Sequence, residues 1–163
     1  MSVKKLIGFL LAMLYCSTHL LAAGKITAAQ IREVMAAADL ASQQRDTKAI
    51  GACLGEKFFK YIDVPMDKLP ATVRIDKDQY LGLIERGWDR IENYAYQRKD
   101  VVVNVAPDGL SGESSSTVIE TFTVDGAETV SKVREYARYE LEDGRPVIVT
   151  VQTQTLVGDT TSQ

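Results

Sequence analysis

Three Asp-Gly dipeptides constrain the fold of this chain more than any other feature of its sequence. They divide its second half at Asp108-Gly109, Asp125-Gly126 and Asp143-Gly144. Asp-Gly between β-rich runs is a strong signal for a tight hairpin turn. The runs between these turns predict four strands, over residues 92–106, 112–124, 128–142 and 146–156. Successive strands joined by short turns pair antiparallel, so the sequence predicts a meander.

The first half of the chain predicts helices, two of which begin with a capping box. Thr27 and Gln30 have the residue types and spacing of one box, and Asp76 and Gln79 have those of another. Apolar residues recur at helical spacing after the first box, which predicts a helix over residues 28–44.

Two shorter elements are predicted between the capping boxes. Asp46 can cap a second helix, "TKAIGACL", with Gly55 as its predicted end. The aromatic and β-branched run "KFFKYIDV" predicts a strand, and "PMDKLP" predicts a loop. The expected fold class is therefore α+β, with N-terminal helices packed on a curved, mainly antiparallel sheet of four to five strands.

The first 23 residues are typical of a secretory signal peptide. Lys4 and Lys5 precede a short apolar run over residues 6–15, and small residues follow near Ala23. The apolar run is shorter than the ~20 residues that a transmembrane helix needs. We therefore expect cleavage near Ala23 and no stable membrane span after removal of the signal.

This interpretation divides the chain into a signal peptide at 1–23, a domain at 24–157 and a flexible tail at 158–163. It predicts a periplasmic or secreted protein, exported by a bacterium. The alternatives are an uncleaved anchor and lipid modification of Cys16. The second is disfavoured because Met13-Leu14-Tyr15 lacks the small residues that a lipoprotein peptidase prefers.

Removal of the signal would limit the available chemistry. It would take away His19, the only histidine, and Cys16, and leave Cys53 as the single cysteine. Catalysis by Ser-His-Asp or Cys-His needs an imidazole base, and ordinary zinc sites draw on Cys and His. We therefore expect no metal site and no cofactor. The formal net charge of −3, without a basic cluster, also argues against a nucleic-acid partner.

Element order and three segments resemble the nuclear transport factor 2-like superfamily, which includes SnoaL-like and ketosteroid-isomerase-like proteins. The segments are "ITAAQIREVMAAADLASQQRDTKAIGACL", "DKDQYLGLIERGWDRIENYAYQRKDVVVNV" and "SKVREYARYELEDGRPVIVTVQTQTL". The resemblance covers residues 26–156. It implies a cone-shaped domain, a pocket between helices and sheet, and frequent dimerisation through the outer face of the sheet.

Two departures from the superfamily concern function. Many members carry Gly-Trp before the last strand, where this chain has Arg145-Pro146. Enzymes of the superfamily often use an Asp-His or Tyr-Asp arrangement in the pocket, and residues 24–163 contain no histidine. The resemblance therefore does not imply one activity.

Strand parity indicates where chemistry could lie. Glu120 and Glu135 belong to inward-facing rows of their strands. If Asp125 to Glu128 form the turn, the two glutamates become diagonal neighbours with Cβ atoms ~7–8 Å apart. One interpretation is a catalytic acid/base pair. The other is a pair of rim or salt-bridged carboxylates without a catalytic role.

Aromatic residues supply candidate ligand contacts. Trp88, Tyr94 and Tyr96 can line a cavity, or they can serve only in core and sheet packing. Tyr94 and Tyr96 have the same parity and must face together, inward or outward.

The opposite face of the sheet offers a candidate partner or dimer surface. Its proposed members are Arg134, Tyr136, Arg138 and Gln152. The alternative is a face that is merely solvated.

Three functional hypotheses follow from the sequence. The first is an exported, non-catalytic, dimeric domain that binds a small apolar ligand or a protein partner. The second is an enzyme of the isomerase or dehydratase type, with Glu120 or Glu135 as general base. The third is a secretion-apparatus or toxin-neutralising accessory protein.

Overall fold

The computed structural model describes residues 24–64 and 71–156. Its helices are α1 (Ala28–Gln43), α2 (Thr47–Cys53) and α3 (Lys77–Trp88). Its strands are β1 (Leu54–Val64), β2 (Ala71–Asp76), β3 (Glu92–Val105), β4 (Ser111–Val124), β5 (Ala127–Glu142) and β6 (Arg145–Thr155). The predicted signal peptide, the "PMDKLP" loop and the predicted tail at 158–163 lie outside the described residues.

The strands form one sheet in the order β2-β1-β6-β5-β4-β3. Neighbouring strands are antiparallel, except that β1 runs parallel to β6. The α+β class and the mainly antiparallel sheet are confirmed. The sheet has six strands rather than four to five, because Ala71–Asp76 pairs with β1 as a short edge strand.

Both predicted capping boxes are present and begin their helices. The Thr27 side chain accepts from the Gln30 backbone N–H at 3.2 Å, and the Gln30 side chain accepts from the Thr27 N–H at 2.9 Å. Asp76 and Gln79 make the same pair of bonds at 2.9 and 3.0 Å. An N-cap of this kind stabilises a helix by about 1 kcal/mol.

Gly55 does not end the second helix as predicted. The helix ends at Cys53, Leu54 is its C-cap, and Gly55 lies in β1. A Cβ atom at Gly55 would come within 2.6 Å of the Glu142 carboxylate and 3.0 Å of the Val147 side chain, so glycine leaves room for these two side chains at the start of β1.

Two of the three Asp-Gly dipeptides form two-residue hairpin loops. Asp125 and Gly126 have φ of 50° and 80°, and Asp143 and Gly144 have φ of 52° and 77°. Val124 consequently pairs directly with Ala127. Two positive φ values in succession match the type I′ turn, whose twist suits antiparallel strands.

The core lies between the helices and one face of the sheet. Ile31 and Met35 of α1 and Ile50 of α2 pack with Phe58 of β1 and Tyr139 of β5. The hydroxyls of Tyr139 and Ser114 lie 3.0 Å apart. Burial raises the pKa of Tyr139 to about 12.

Candidate ligand-binding cavity

A cavity of about 110 Å³ lies between the helices and the inward face of the sheet. Its aromatic wall consists of Phe58, Tyr80, Trp88, Tyr94 and Tyr96. Its charged lining residues are Lys60, Arg98, Glu120 and Glu135. Aromatic walls with a few polar groups are usual for small-molecule sites.

The structure brings the predicted ligand residues together at this cavity. Trp88 comes from the last residue of α3, and Tyr94 and Tyr96 come from the inward row of β3. The rings of Trp88 and Tyr94 meet edge to face, with centroids 6.1 Å apart. Glu120 and Glu135 also line the cavity. Their participation in binding or catalysis is still a prediction.

The two glutamates are not the diagonal neighbours that the sequence predicted. The two-residue turn at Asp125-Gly126 places Glu120 opposite Ser131, and Glu135 opposite Ser116. The offset along the strands is four residues, or about 13 Å at ~3.4 Å per residue. The observed pairing of β4 with β5 differs from the predicted pairing by two residues. Because successive side chains of a strand point to opposite faces, a shift by an even number leaves both glutamates on the inward face.

Arg98 of β3 holds the centre of a buried polar network that we call the arginine cluster (Asp39, Tyr96, Arg98, Ser116 and Glu135). Its Nε donates to the two Asp39 oxygens at 2.9 and 3.1 Å. Its Nη1 donates to Glu135 Oε1 at 2.7 Å and to Ser116 Oγ at 2.5 Å. Its Nη2 donates to the Tyr96 hydroxyl at 2.8 Å, which in turn donates to Asp39 Oδ1 at 3.0 Å.

Two members of the arginine cluster, Arg98 and Tyr96, have raised pKa values. Burial acts to lower the pKa of Arg98, but Glu135, Tyr96 and Asp39 more than offset it and raise that pKa. Burial, followed by the charge of Glu135, raises the pKa of Tyr96 far above its ordinary value. Arg98 therefore stays a cation and Tyr96 stays a neutral phenol across the physiological range.

Glu120 has a different environment. The Tyr94 hydroxyl donates to Glu120 Oε1 at 2.6 Å. Burial, followed by the charge of Glu120, raises the pKa of Tyr94 well above its ordinary value. Arg45 covers the Tyr94 ring at 5.4 Å and donates to the Ile91 carbonyl at 3.1 Å, which fixes the entry of the chain into β3.

Lys60 is the second cation of the cavity. It lies in the inward row of β1 with Phe58, and its Nζ stands 4.8 Å from the centroid of the Tyr80 ring. Burial acts to lower the pKa of Lys60. Tyr80, Glu135 and Glu120 act in the opposite direction, and the net result is a raised pKa.

Sequence reasoning missed Asp39, Lys60 and Arg98. Strand parity could have indicated two of them. Arg98 lies on the same face of β3 as Tyr94 and Tyr96, and Lys60 lies on the same face of β1 as Phe58. Asp39 follows the buried Met35 by one helical turn. Nothing local joins Asp39 to Arg98, because they are 59 residues apart in the chain.

The predicted partner surface lies on the outward face of the sheet, away from the cavity. Tyr136 pairs with Gln152 across β5 and β6, and 48% of Tyr136 is exposed. Arg134 and Arg138 share this outward row, and Arg138 makes an exposed ion pair with Glu140 at 3.0 Å. A partner for this face is still a prediction.

A wider apolar groove of about 630 Å³ lies outside the core, between α1, α2 and the β5–β6 turn. Small side chains such as Ala37, Ala49 and Ala52 line much of it, together with Cys53. Burial raises the pKa of the Cys53 thiol, so this group stays protonated. The inner cavity has the more convergent polar groups and the aromatic walls, and is the better candidate site.

Within residues 24–64 and 71–156, no group of three or more His, Cys, Asp or Glu residues is placed to hold a metal ion. Within the same ranges, no helix has the length and apolar character needed to cross a membrane.

No protein-family model matches the chain, and no curated protein matches it. Solved structures do. An NTF2-like protein from Cytophaga hutchinsonii ATCC 33406 superposes with a TM-score of 0.61 at 13% identity, covering 77% of this chain and 95% of that one. This chain has the nuclear transport factor 2-like fold.

Two further structures with this fold carry enzyme names. A protein assigned as a scytalone dehydratase, from Novosphingobium aromaticivorans DSM 12444, has a TM-score of 0.65 at 11% identity, covering 79% of this chain and 83% of that one. The hexachlorocyclohexane dehydrochlorinase LinA-type3 from Novosphingobium barchaimii LL02 has a TM-score of 0.63 at 11% identity, covering 80% of this chain and 90% of that one. At these identities the likeness concerns the nuclear transport factor 2-like fold alone.

Proposed function

We propose that this chain is an exported domain that holds a small ligand in its inner cavity without transforming it. The observation that carries the proposal is the state of the two carboxylates beside Arg98, of which Glu135 lines the cavity. Glu135 and Asp39 are both engaged by one guanidinium, at 2.7 and 2.9 Å. A general base needs a free lone pair directed at the substrate, and this ion pairing works against that role.

The cavity volume limits the size of the ligand. An apolar cavity of about 150 Å³ holds benzene. Sites for drug-sized ligands measure about 300–1,000 Å³. At about 110 Å³, the inner cavity suits a single small ring or a short chain of similar bulk.

We also propose that the outward face of the sheet, with Arg134, Tyr136, Arg138 and Gln152, forms a homodimer or protein-partner interface. Tyrosine and arginine are enriched at interfaces. The exposed ring of Tyr136 at the centre of this face supports the proposal. Analytical ultracentrifugation of wild type and Tyr136→Glu tests it. A dimer that becomes a monomer is expected, and a wild-type monomer contradicts it.

The proposed export rests on the signal-peptide pattern of residues 1–23. The full chain expressed in a bacterium should be recovered from the periplasm, with an N-terminus near Gly24. Recovery of the product with Met1 intact would refute export with cleavage.

A second candidate is an enzyme of the isomerase or dehydratase type. The specific observation in its favour is the Tyr94–Glu120 pair at the cavity, with the hydroxyl and carboxylate 2.6 Å apart. Glu120 would remove a proton from substrate carbon, and Tyr94 or Lys60 would donate a hydrogen bond to the oxygen that gains charge. The enzyme names of two structures with this fold make the test worthwhile.

Native mass spectrometry of the periplasmic protein tests ligand binding. We expect wild type to retain a small molecule of unchanged mass after prolonged incubation. Trp88→Ala should lose it, because this substitution removes a wall of the cavity. Tyr136→Ala is the matched control, since it removes an aromatic ring from the outward face. Conversion of the retained molecule to a second compound would favour the enzyme, and equal retention by Trp88→Ala would refute the site.

A further inference from the structure

Lys60 differs from every other charged residue of the inner cavity. Arg98 and Glu135 bind each other, and Glu120 accepts a hydrogen bond from Tyr94. Lys60 makes no hydrogen bond or ion pair with any residue in the ranges 24–64 and 71–156. Among these described residues, its one close contact of electrostatic character is with the face of the Tyr80 ring, 4.8 Å from Nζ.

An aromatic face satisfies an ammonium group only in part. The group has three N–H donors, and a cation over a ring gains electrostatic attraction without a directional hydrogen bond. A partly buried donor without an acceptor is costly. Lys60 lies in the cavity wall, so the space in front of it can take an acceptor carried by a ligand.

The charges around the cavity decide which acceptor fits. Lys60 and Arg98 contribute two positive charges, against three negative charges from Asp39, Glu120 and Glu135. An anionic ligand would add a fourth negative charge. Glu135 and Glu120 already act on Lys60 through space and favour its charged form. Lys60 therefore lacks a short-range acceptor rather than a counter-ion.

We infer that Lys60 is the recognition group of the cavity and that the ligand presents an uncharged carbonyl oxygen to its ammonium. The inference rests on the proposed ligand-binding function and specifies the ligand class of that site. The carbonyl belongs to a small apolar body, because the uncharged lining residues are aromatic or aliphatic apart from Ser42 and Thr153. A hydrogen bond from a charged donor is stronger than one between neutral groups.

Three probes of similar size test the inference. Cyclopentanone carries an uncharged carbonyl, methylenecyclopentane replaces the oxygen with carbon, and cyclobutanecarboxylate carries a negative charge. Their dissociation constants for the folded domain are measured by NMR titration. Wild type should bind the ketone at least about fivefold more tightly than the hydrocarbon, as expected for one additional net hydrogen bond. It should bind the carboxylate more weakly than the ketone.

Two variants assign the preference to the residue. Lys60→Met keeps the length of the side chain and removes the ammonium, and it should equalise the affinities for ketone and hydrocarbon. Lys99→Met is the matched control, because Lys99 lies on the exposed outward row of β3. It should retain the wild-type ratio. The ratio of two affinities in one protein does not report a general loss of stability.

Each other outcome overturns the inference. A wild-type protein that binds ketone and hydrocarbon equally, or the carboxylate most tightly, has no carbonyl-selective Lys60. Such a protein would still bind a small ligand, so the proposed function would stand. Absence of binding by all three probes at millimolar concentration overturns the inference. Retention of a native small molecule then decides separately whether the cavity binds ligands at all.

Discussion

The two cations of the inner cavity have opposite surroundings. Arg98 donates to four side chains of the arginine cluster, at distances from 2.5 to 3.1 Å. Lys60 has one aromatic ring at 4.8 Å. A cation most of whose donors are engaged by the protein serves the fold, whereas a cation facing open space has donors left for a ligand. The cavity thus has a structural side and a side suited to recognition.

The largest effect is expected from Arg98→Met, which removes the centre of the arginine cluster. Asp39 and Glu135 would be left close together, partly buried and without their common partner. Breaking a buried ion pair by removing one partner costs about 3–5 kcal/mol. Urea unfolding should show this loss of the free energy of unfolding.

Arg138→Met is the control for that measurement. Its ion pair with Glu140 lies on the exposed outward face. Removal of an exposed pair changes stability by about 0–1 kcal/mol. A similar loss for both variants would show that the buried position of Arg98 confers no special structural role.

Alkaline pH should destabilise the domain through its buried tyrosines. Tyr94, Tyr96 and Tyr139 have raised pKa values in the folded state, that of Tyr139 being about 12. An unfolded tyrosine has a pKa of about 10. Above pH ~10 the unfolded chain therefore releases protons that the folded chain keeps, and stability falls as pH rises.

Between its unfolded and folded pKa values, each tyrosine should lower the free energy of unfolding by about 1.4 kcal/mol per pH unit. For Tyr139 this pH range ends near its folded pKa. Urea unfolding at a series of pH values measures the slope. Tyr139→Phe should reduce the slope by the share of one tyrosine. A stability that does not change above pH ~10 would show that these hydroxyls are solvated.

A smaller effect is expected from Tyr96→Phe. The substitution keeps the ring and removes the hydroxyl that links Arg98 to Asp39. The cost should be about 1 kcal/mol, since the direct ion pairs of Arg98 persist. Tyr136→Phe, on the exposed outward face, should leave the unfolding midpoint in urea unchanged. Equal effects would indicate that the hydroxyl of Tyr96 contributes nothing to the cluster.

The smallest effect on stability is expected from Glu120→Gln, which should change the free energy of unfolding by less than about 1 kcal/mol, because the amide oxygen can still accept from Tyr94. The same variant separates the two proposed functions. A binding domain should keep its retained ligand, and an enzyme should lose turnover by orders of magnitude. Ligand retention and product formation by wild type and variant are compared by mass spectrometry.

Local sequence signals predicted most of the fold. The capping boxes at Thr27 and Asp76 and the Asp-Gly turns depend on residues at most a few positions apart. The structure contains both boxes and two tight Asp-Gly turns, whereas Asp108-Gly109 lies in a longer connection between β3 and β4. The strand Ala71–Asp76 was missed, because it is a short edge strand that runs directly into the second capping box. The parallel pairing of β1 with β6 joins distant parts of the chain and leaves no local signal.

The candidate site was predictable only as far as strand parity extends. Parity placed Glu120 and Glu135 inward, and the structure has them there. Their separation was wrong, because it depends on the length of one turn, and the Asp125-Gly126 loop has two residues rather than four. The ion pair of Asp39 with Arg98 requires α1 to lie across β3, which no sequence pattern revealed.

An NMR chemical-shift map of the folded domain, titrated with cyclopentanone, tests the central claim most directly. We predict that the largest shifts fall on Lys60, Tyr80 and Tyr94, while the Nε–H signal of Arg98 keeps its position because that group is held by Asp39. Shifts concentrated in the outer groove at Ala37 and Ala52, or displacement of the Arg98 signal without any change at Lys60, would contradict it.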